Sequence, residues 1–405
     1  MHRVVVTGWG VVSPVGNTAP AYRESLQRGT SGLGPPTLAP IDDLNQKVVA
    51  EVKDFAPSAH FTDRQLAFMD RVAQLGVVAA REAIAQSGLD FTDEALAVRT
   101  ATIIGTAVGG QTTQDDNYRK LYKEGSRRMP PFAIPRLMVN AASSQISMHC
   151  GLKGPTFTIA SACASGTHAA GLAFQMVRSG AAACAVAGGA EASIAFGPLK
   201  VWEAMRIMAP DACRPFSRDR KGMILGEGAA IVLMEPLEAA QKRGAEILGE
   251  VVGFGMSADA KDITNPDAGG MARAISAALD DARLAPDQVQ YINAHGTGTG
   301  ANDETETQAL KTVFGAHAGK LAISSTKSMV GHSLGASGAL ELIATLMAMR
   351  DSVAPPTIGY LGPDPACDLD CIPNAAREMR IDAALSNSFA FGGLNAVLAV
   401  RRWQG

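Results

Sequence analysis

The sequence predicts an α/β protein built from two halves that repeat a similar order of elements. With 405 residues the chain exceeds the size of a usual single core, so two domains or one doubled architecture are expected. Hydrophobic residues make up 47% and aromatic residues 5%, with 42 glycines, which is typical of closely packed strands and helices. Short apolar runs alternate with helical patterns, which indicates buried sheets covered by helices.

The first half begins at once with a strand-then-helix rhythm. An apolar run over residues 3–7 predicts a buried strand, and the Gly- and Pro-punctuated stretch 8–17 separates it from a helical pattern over residues 19–26. The remaining elements predicted for this half are strands at residues 100–105, 156–160 and 183–188, with a helix that ends near residue 179.

The second half starts after a junction near residues 236–249 and has a similar element order. Its tail contains two apolar runs split by Gly392-Gly393, which predict an antiparallel hairpin at the end of a sheet. The elements predicted here are strands at residues 248–252, 289–293 and 320–324, helices at 270–282 and 335–350, and hairpin strands at 383–389 and 396–400. We therefore divide the chain into residues 1–245 and 246–405.

Charge, cysteine content and hydropathy exclude several classes of protein. A formal net charge of −3 provides no field that would attract nucleic acid or an anionic membrane. The six scattered cysteines show neither zinc-ribbon spacing nor a disulfide framework, which favours a reducing compartment. The first apolar run is too short for a signal peptide, and no uncharged apolar run reaches about 18 residues. The sequence therefore predicts a cytoplasmic protein without a membrane span.

Cys163 lies where a predicted buried strand gives way to a helix rich in alanine and glycine. We expect this turn to expose the thiol and to leave room for a thioester among small neighbours. A helix N-terminus carries partial positive charge and unpaired N–H groups, so it should lower the pKa of the thiol and could receive an oxyanion. The simpler interpretation, a small buried hydrophobic residue, is kept for the other five cysteines.

His295 and His332 each follow a predicted strand, at the sheet edge where α/β proteins bind ligands. A lone histidine is more often structural, so these two are candidates only jointly. Their neutral imidazoles are predicted to donate hydrogen bonds to a thioester oxygen that becomes an enolate. Lys327 and Glu306 are predicted to fix the orientation and protonation of the histidines, and Asp303 is assigned to the same supporting group.

Two other site types fit the sequence poorly. A zinc site of Cys163, His295 and His332 is disfavoured, because no two of these ligands lie at a short fixed spacing. The glycine-rich segment 105–110 lacks the Gly-Lys-Ser/Thr ending of a phosphate-binding loop. No metal site is therefore predicted.

Four separated motifs carry a resemblance to a known family. They are Ser-Ala-Cys at 161–163, Asn-Ala-His-Gly-Thr-Gly-Thr at 293–299, Lys-Ser-Met-Val-Gly-His at 327–332 and Phe-Gly-Gly at 391–393. In this order the chain resembles, essentially end to end, the β-ketoacyl-[acyl carrier protein] synthases of the Cys-His-His type that extends acyl chains. The resemblance implies a thiolase-like duplicated five-layer α/β/α/β/α fold that works as a homodimer. A heterodimer with a related subunit stays open.

The resemblance also implies a reaction. An acyl group moves from acyl carrier protein to Cys163, malonyl-carrier protein decarboxylates beside His295 and His332, and the enolate attacks the thioester. The N–H groups of Cys163 and Phe391 would form the oxyanion hole, and Phe391 would act as a gate to the acyl pocket. No cofactor is implied beyond the phosphopantetheine of the carrier protein.

Further residues are assigned to substrate or carrier by the same resemblance. Thr297 and Thr299 match positions that contact the pantetheine arm, and Arg127 and Arg128 match basic positions that dock the carrier protein. The other positions assigned to pantetheine or substrate are Thr264, Val108, Ala133 and Phe389.

Departures from the family pattern bear on the substrate. Ala390 stands where glycine usually precedes the gating phenylalanine, and Asp262 stands where fatty-acid enzymes commonly carry histidine. Phe-Ala at 132–133 replaces a usual aromatic pair, which predicts a wider or longer acyl pocket. The segment around Trp202 is more similar to specialised nodulation-type and polyene-forming synthases than to those of primary metabolism.

Two alternatives to an elongating synthase stay open at this point. A thiolase would need a second cysteine as a base in the second half, and Cys367 and Cys371 lie instead in a Pro- and Asp-rich loop. A chain-length-factor-like partner subunit of a ketosynthase heterodimer would lack the nucleophile, whereas Cys163 is present.

Overall fold

The computed structural model describes residues 1–39 and 43–405. The strands are β1 (Val4–Val12), β2 (Thr100–Gly105), β3 (Thr156–Ile159), β4 (Cys184–Glu191), β5 (Gly228–Pro236), β6 (Gly249–Ala258), β7 (Tyr291–Asn293), β8 (Ala322–Ser324), β9 (Val353–Ala354), β10 (Arg377–Glu378), β11 (Ala383–Ala390) and β12 (Leu394–Arg401). The helices are α1 (Ala19–Arg28), α2 (Asp63–Leu66), α3 (Arg71–Ser87), α4 (Glu94–Ala97), α5 (Gln111–Tyr122), α6 (Ala133–Leu137), α7 (Ala141–Cys150), α8 (Ser165–Ser179), α9 (Phe196–Ala204), α10 (Leu237–Lys242), α11 (Ala268–Ala282), α12 (Gly300–Phe314), α13 (Lys327–Val330) and α14 (Ser337–Asp351).

The main sheet contains two copies of one strand arrangement. Its order is β3-β2-β4-β5-β1-β6-β12-β11-β7-β8, and the copies meet where Val4–Val6 of β1 pairs with Gly249–Val251 of β6. If β6, β7, β8, β11 and β12 are counted as strands one to five, both copies have the order 3-2-4-5-1. In each copy only the fifth strand runs antiparallel to its neighbours. The predicted duplicated α/β fold is confirmed.

Helices lie on both faces of each half-sheet. The helices α8 and α14 pack against each other and contact strands of both halves, so they form the central layer. On the outer faces, α3 and α7 cover the first half-sheet, while α11 covers the second and α12 packs against α11. This stacking gives the five layers. Helices α8 and α14 both start near the middle of the molecule, and the short turns that precede them contact each other.

The first strand is longer than predicted. It continues to Val12, and the expectation that irregular structure begins at residue 8 was wrong. Gly8 and Gly10 continue the strand. Glycine is needed at both positions because helix α3 packs too closely there to leave room for a side chain. A Cβ at Gly8 would lie 2.0 Å from the Ala83 carbonyl oxygen, and one at Gly10 would lie 1.9 Å from that of Ala79.

Strand β3 is also not the buried strand that the sequence predicted. It lies at the edge of the sheet and pairs only with β2, so its residues are partly accessible and Phe157 is exposed. The hairpin predicted at the end of the chain is confirmed, since β11 and β12 pair antiparallel along their whole length. The predicted division between residues 245 and 246 falls between α10 and β6 and stays a prediction.

Candidate active site

One cavity brings together the predicted nucleophile and both predicted histidines. Cys163 comes from the turn before α8, His295 from the loop after β7, and His332 from the segment between α13 and α14. The cavity is also lined by other residues that the sequence assigned to the site: Thr264, Thr297, Thr299, Phe389 and Phe391. Chemistry-bearing side chains from both halves of the chain therefore face one space.

Cys163 is the middle residue of a single 3₁₀ turn, Ala162–Ala164, which enters helix α8. Its side chain is buried, with 7% of its surface exposed, and burial raises the pKa of the thiol to about 11. The charge of Lys327 and the N–H groups of Phe391 and Cys163 act in the opposite direction. The expected exposed thiol with a lowered pKa was thus wrong, because the lost hydration outweighs the favourable groups around the sulfur.

The imidazole of His295 is held by Lys327. The Lys327 Nζ lies 3.3 Å from Nδ1 of His295 and donates a hydrogen bond of 2.6 Å to its backbone oxygen. An ammonium group has only hydrogens to give, so Nδ1 of His295 accepts and the ring proton resides on Nε2. Burial, then the charge of Lys327, lowers the pKa of His295 well below its usual value, so the ring is neutral.

His332 stands almost perpendicular to His295, with ring centroids 5.4 Å apart and an angle of 84° between the planes. Its Nδ1 lies 2.9 Å from the Oγ of Ser337, and its backbone N–H donates to the carbonyl of Ile224 at 2.7 Å. Burial and the charge of Lys327 lower the pKa of His332 well below its usual value. Both rings are therefore neutral, as the sequence predicted.

Glu306 and Asp303 support the histidine loop through its backbone. The carboxylate of Glu306 accepts the N–H groups of His295 at 2.9 Å and Gly296 at 2.8 Å. Asp303 accepts the N–H of Gly298 at 3.2 Å. Burial raises the pKa of both carboxyl groups, to about 6 for Asp303, and these N–H bonds oppose the rise for Glu306. These residues fix the path of the loop rather than touching either imidazole ring.

The sequence interpretation missed Glu341, the partner of Lys327. The two side chains form an ion pair in a fully buried setting. Burial raises the pKa of Glu341 to about 7, and the charge of Lys327 opposes that rise. A signal was available, because Glu341 is the one carboxylate among residues Ser337 to Met349 of helix α14, all of which are buried. A buried carboxylate of this kind needs a positively charged partner.

Trp202 is a second missed residue. Its ring stacks on the ring of Phe391, with centroids 6.3 Å apart and planes 24° apart, and both rings line the cavity. In the sequence, the segment around Trp202 indicated only a similarity to nodulation-type and polyene-forming synthases. Sequence spacing could not reveal this aromatic partner of the predicted gate, because Trp202 lies in the first half of the chain and Phe391 in the second.

Four of the residues predicted to contact substrate or carrier protein lie outside the cavity wall. Val108 follows β2 and Ala133 begins the surface helix α6, and neither lines the cavity. The neighbouring Phe132 packs against Phe68, with ring centroids 4.2 Å apart. The expectation that Ala133 widens the acyl pocket stays a prediction. The side chains of the pair 127–128 are exposed in the segment after α5.

Comparison with known proteins decides the family. Family models for the N-terminal and C-terminal domains of beta-ketoacyl synthase match residues 1–240 and 248–361. The chain belongs to the β-ketoacyl synthase family. This synthase is 47% identical to "Nodulation protein E" of Rhizobium sp. (strain N33) and 44% identical to "3-oxoacyl-[acyl-carrier-protein] synthase 2" of Coxiella burnetii (strain RSA 493 / Nine Mile phase I), over 99% of both chains each time.

A solved structure, "The ishigamide ketosynthase/chain length factor", matches the synthase with a TM-score of 0.95 and 36% identity, over 100% of both chains. The family predicted from the four motifs is thus confirmed, and with it the thiolase-like fold. The chain is a condensing acyltransferase. Its identities to the two relatives are nearly equal, so the predicted closeness to nodulation-type enzymes stays a prediction. In the described ranges, no helix is long and apolar enough to cross a membrane.

Proposed function

We propose that this synthase joins an acyl group held on Cys163 to malonyl-[acyl carrier protein], with loss of carbon dioxide. One observation carries the proposal: the Cys163 thiol, with two N–H groups directed at its sulfur, shares a cavity with two neutral histidines. This combination provides a nucleophile for a thioester and donors for an enolate in the same space.

In the first half-reaction the Sγ of Cys163 attacks the carbonyl carbon of the acyl thioester. The N–H groups of Cys163 and Phe391 receive the oxygen as it becomes negative, and the pantetheine thiolate leaves with the proton that the cysteine lost. The positive charge of Lys327 favours the thiolate and partly offsets the burial of the sulfur. The product is an acyl group bound to Cys163.

In the second half-reaction malonyl-carrier protein occupies the vacated space. Its carboxylate leaves as carbon dioxide, and the electron pair forms an enolate whose oxygen accepts hydrogen bonds from the Nε2–H groups of His295 and His332. The enolate carbon then attacks the acyl carbonyl, so a carbon–carbon bond forms and the bond to Cys163 breaks. Neutral histidines suit this role, because the step needs positioned donors rather than a strong base.

The remaining cavity residues bind and admit the substrate in this proposal. Thr297, Thr299 and Thr264 contact the pantetheine arm from the cavity wall, where the hydroxyls of Thr297 and Thr299 lie 2.8 Å apart. Phe391 gates the acyl group. Its stacking on Trp202 supports this role, because an acyl chain that passes the phenylalanine must separate the two rings.

Acyl carrier protein is the proposed partner, and its phosphopantetheine is the only prosthetic group that the reaction needs. The overall charge of −3 cannot steer an acidic carrier, so local basic residues such as Arg127 and Arg128 should dock it. A homodimer is proposed as well, with a related subunit as the alternative, since the edge of β3 leaves backbone groups free to pair. The cytoplasm is the proposed compartment.

The function is tested by mixing the purified protein with acyl- and malonyl-carrier protein. Intact-protein mass spectrometry should show an acyl adduct on Cys163 and a 3-oxoacyl-carrier protein two carbons longer than the starting acyl group. A chain-length-factor-like subunit would show neither species when alone. The absence of both, from a folded protein supplied with competent carriers, would overturn the proposal.

Carrier docking is tested by reversing both charges, with Arg127→Glu and Arg128→Glu together. The KM for carrier-bound substrates should rise roughly tenfold and lose part of its salt dependence, because steering between opposite charges is lost. Turnover of small pantetheine thioesters should hardly change. The control is Lys242→Glu, an exposed residue of α10, which packs against the central strands β1 and β5. Equal damage to both substrate types would contradict docking.

A further inference from the structure

Glu191 ends strand β4 and is completely buried, and the reaction described above does not use it. Its carboxylate is held by uncharged donors. The Thr106 hydroxyl donates to Oε1 at 3.0 Å, and the N–H groups of Ala107 and Gly335 donate to Oε2 at 2.6 Å and 3.0 Å. Burial raises the pKa of Glu191 to about 7, against the effect of these bonds. A buried carboxylate satisfied in this way is costly and needs an explanation.

The donors belong to two different parts of the molecule. Thr106 and Ala107 follow β2 in the first half, whereas Gly335 lies in the second half, in the short segment between His332 and Ser337. The Ser337 hydroxyl is the group that contacts Nδ1 of His332. Glu191 therefore binds the backbone of the turn that connects His332 to Ser337, whose hydroxyl contacts the His332 ring.

The packing around this carboxylate leaves the turn little freedom. A Cβ on Gly335 would lie 2.4 Å from the N of Ala107, and one on Gly189 would lie 2.5 Å from the carbonyl oxygen of Gly335. The turn also begins at Leu334, with a left-handed φ of 42°, a conformation that surrounding contacts must maintain. The His332 backbone itself is bonded to Ile224 and Gly226, so weaker bonds to Glu191 would shift the turn at 334–337 and with it the Ser337 hydroxyl that contacts the His332 ring.

We propose that Glu191 is a positioning residue for decarboxylation: by holding the Gly335 turn against the first half, it sets His332 at the place where the enolate oxygen forms. This inference rests on the proposed function. A glutamine at this position has nearly the same shape, but it removes the negative charge and leaves one oxygen instead of two to accept from Thr106, Ala107 and Gly335. A small displacement of a positioned donor is enough to slow a reaction strongly.

The test compares the two half-reactions in Glu191→Gln. The kcat for malonyl decarboxylation should fall roughly tenfold or more, the range found when a supporting hydrogen bond is removed, while its KM stays unchanged. The rate of Cys163 acylation should fall less than that of decarboxylation, because the charge of Glu191 raises the pKa of the Cys163 thiol and its loss favours the reactive thiolate. A residue with only a structural role would lower both rates together with the melting temperature.

Glu235→Gln is the matched control, since Glu235 is a buried strand carboxylate bonded to Thr7 and Arg243 at the other end of the sheet. It should lower stability without changing the ratio of the two half-reactions. If Glu191→Gln does not fold, Thr106→Val decides: it should slow decarboxylation several-fold, and Thr106→Ser should restore it.

An unchanged ratio in Glu191→Gln, or a Thr106→Val variant equal to wild type, overturns the inference. Wild-type protein that neither becomes acylated nor decarboxylates malonyl-carrier protein would instead contradict the proposed function itself.

Discussion

The turns that lead into the two central helices are nearly the same in backbone and sequence. Residues 162–166 read Ala-Cys-Ala-Ser-Gly, and residues 334–338 read Leu-Gly-Ala-Ser-Gly. Each turn begins with a left-handed residue, at φ of 49° for Ala162 and 42° for Leu334, and forms one 3₁₀ turn before α8 or α14. The duplication of the fold thus extends to the turn that presents the nucleophile.

The two turns differ at their middle residue. Cys163 faces the cavity, and the Phe391 N–H, just after β11, is directed at its sulfur. Its counterpart Gly335 has no side chain, and its own N–H is directed at the carboxylate of Glu191, at the end of β4. One backbone design therefore serves two purposes: the first turn is open for chemistry, and the second is closed by packing and by a buried carboxylate.

The largest expected effect comes from removing the nucleophile in the open turn. Cys163→Ser should lower condensation on the order of 10³-fold or more, because a hydroxyl without an adjacent base is a poor nucleophile. The free energy of unfolding should change little. Product formation is followed by mass spectrometry and stability by chemical denaturation. Condensation retained at a tenth of the wild-type rate would remove Cys163 from its role.

The two histidines should matter for only one half-reaction. His295→Ala or His332→Ala should slow malonyl decarboxylation by roughly 10²-fold, since each removes one donor to the enolate oxygen. Acylation of Cys163 should remain measurable by mass spectrometry. If acylation fell and decarboxylation did not, the roles assigned to the two sides of the cavity would be reversed.

Adding a methyl group at Gly335 tests whether tight packing is what distinguishes the closed turn from the open turn. Gly335→Ala places a Cβ 2.4 Å from the N of Ala107, so it should destabilise the fold by about 1–3 kcal/mol. Cys163→Ala at the equivalent position should be far better tolerated, because a smaller side chain there only enlarges the cavity. Denaturant unfolding of both variants makes the comparison, and equal stabilities would show that the closed turn has room after all.

The equivalent serines provide the smallest expected difference. Ser337 contacts Nδ1 of His332 at 2.9 Å, whereas Ser165 accepts the N–H of Ser161 at 2.9 Å within its own turn. Ser337→Ala should slow decarboxylation several-fold, because the ring loses its orienting contact. Ser165→Ala should cost about 1 kcal/mol of stability with little effect on that rate. Steady-state kinetics and denaturation of the pair would show whether the serines are interchangeable.

Local pattern identified most elements of both halves. The strand at residues 100–105 and the final hairpin follow from apolar runs between turn signals, and the structure has them at Thr100–Gly105 and Ala383–Arg401. The errors lie where tertiary contacts overrule local signals. Gly8 looks like a strand end in sequence, but it continues the strand because helix α3 packs against its bare backbone. Strand β3 is accessible because it lies at the edge of the sheet, and its own sequence does not show which strands lie beside it.

The sequence by itself determined the identity of the chemistry: the motifs at Cys163, His295 and His332, with Lys327 and Glu306 beside them, mark a condensing enzyme wherever they occur in this order. Tertiary structure decided the electrostatic state of the thiol and of the lysine. Burial raises the pKa of the Cys163 thiol to about 11, and the fold places the carboxylate of Glu341 beside Lys327. The reason is physical, since hydration and charge partners depend on which distant segments meet, and spacing along the chain does not contain that information.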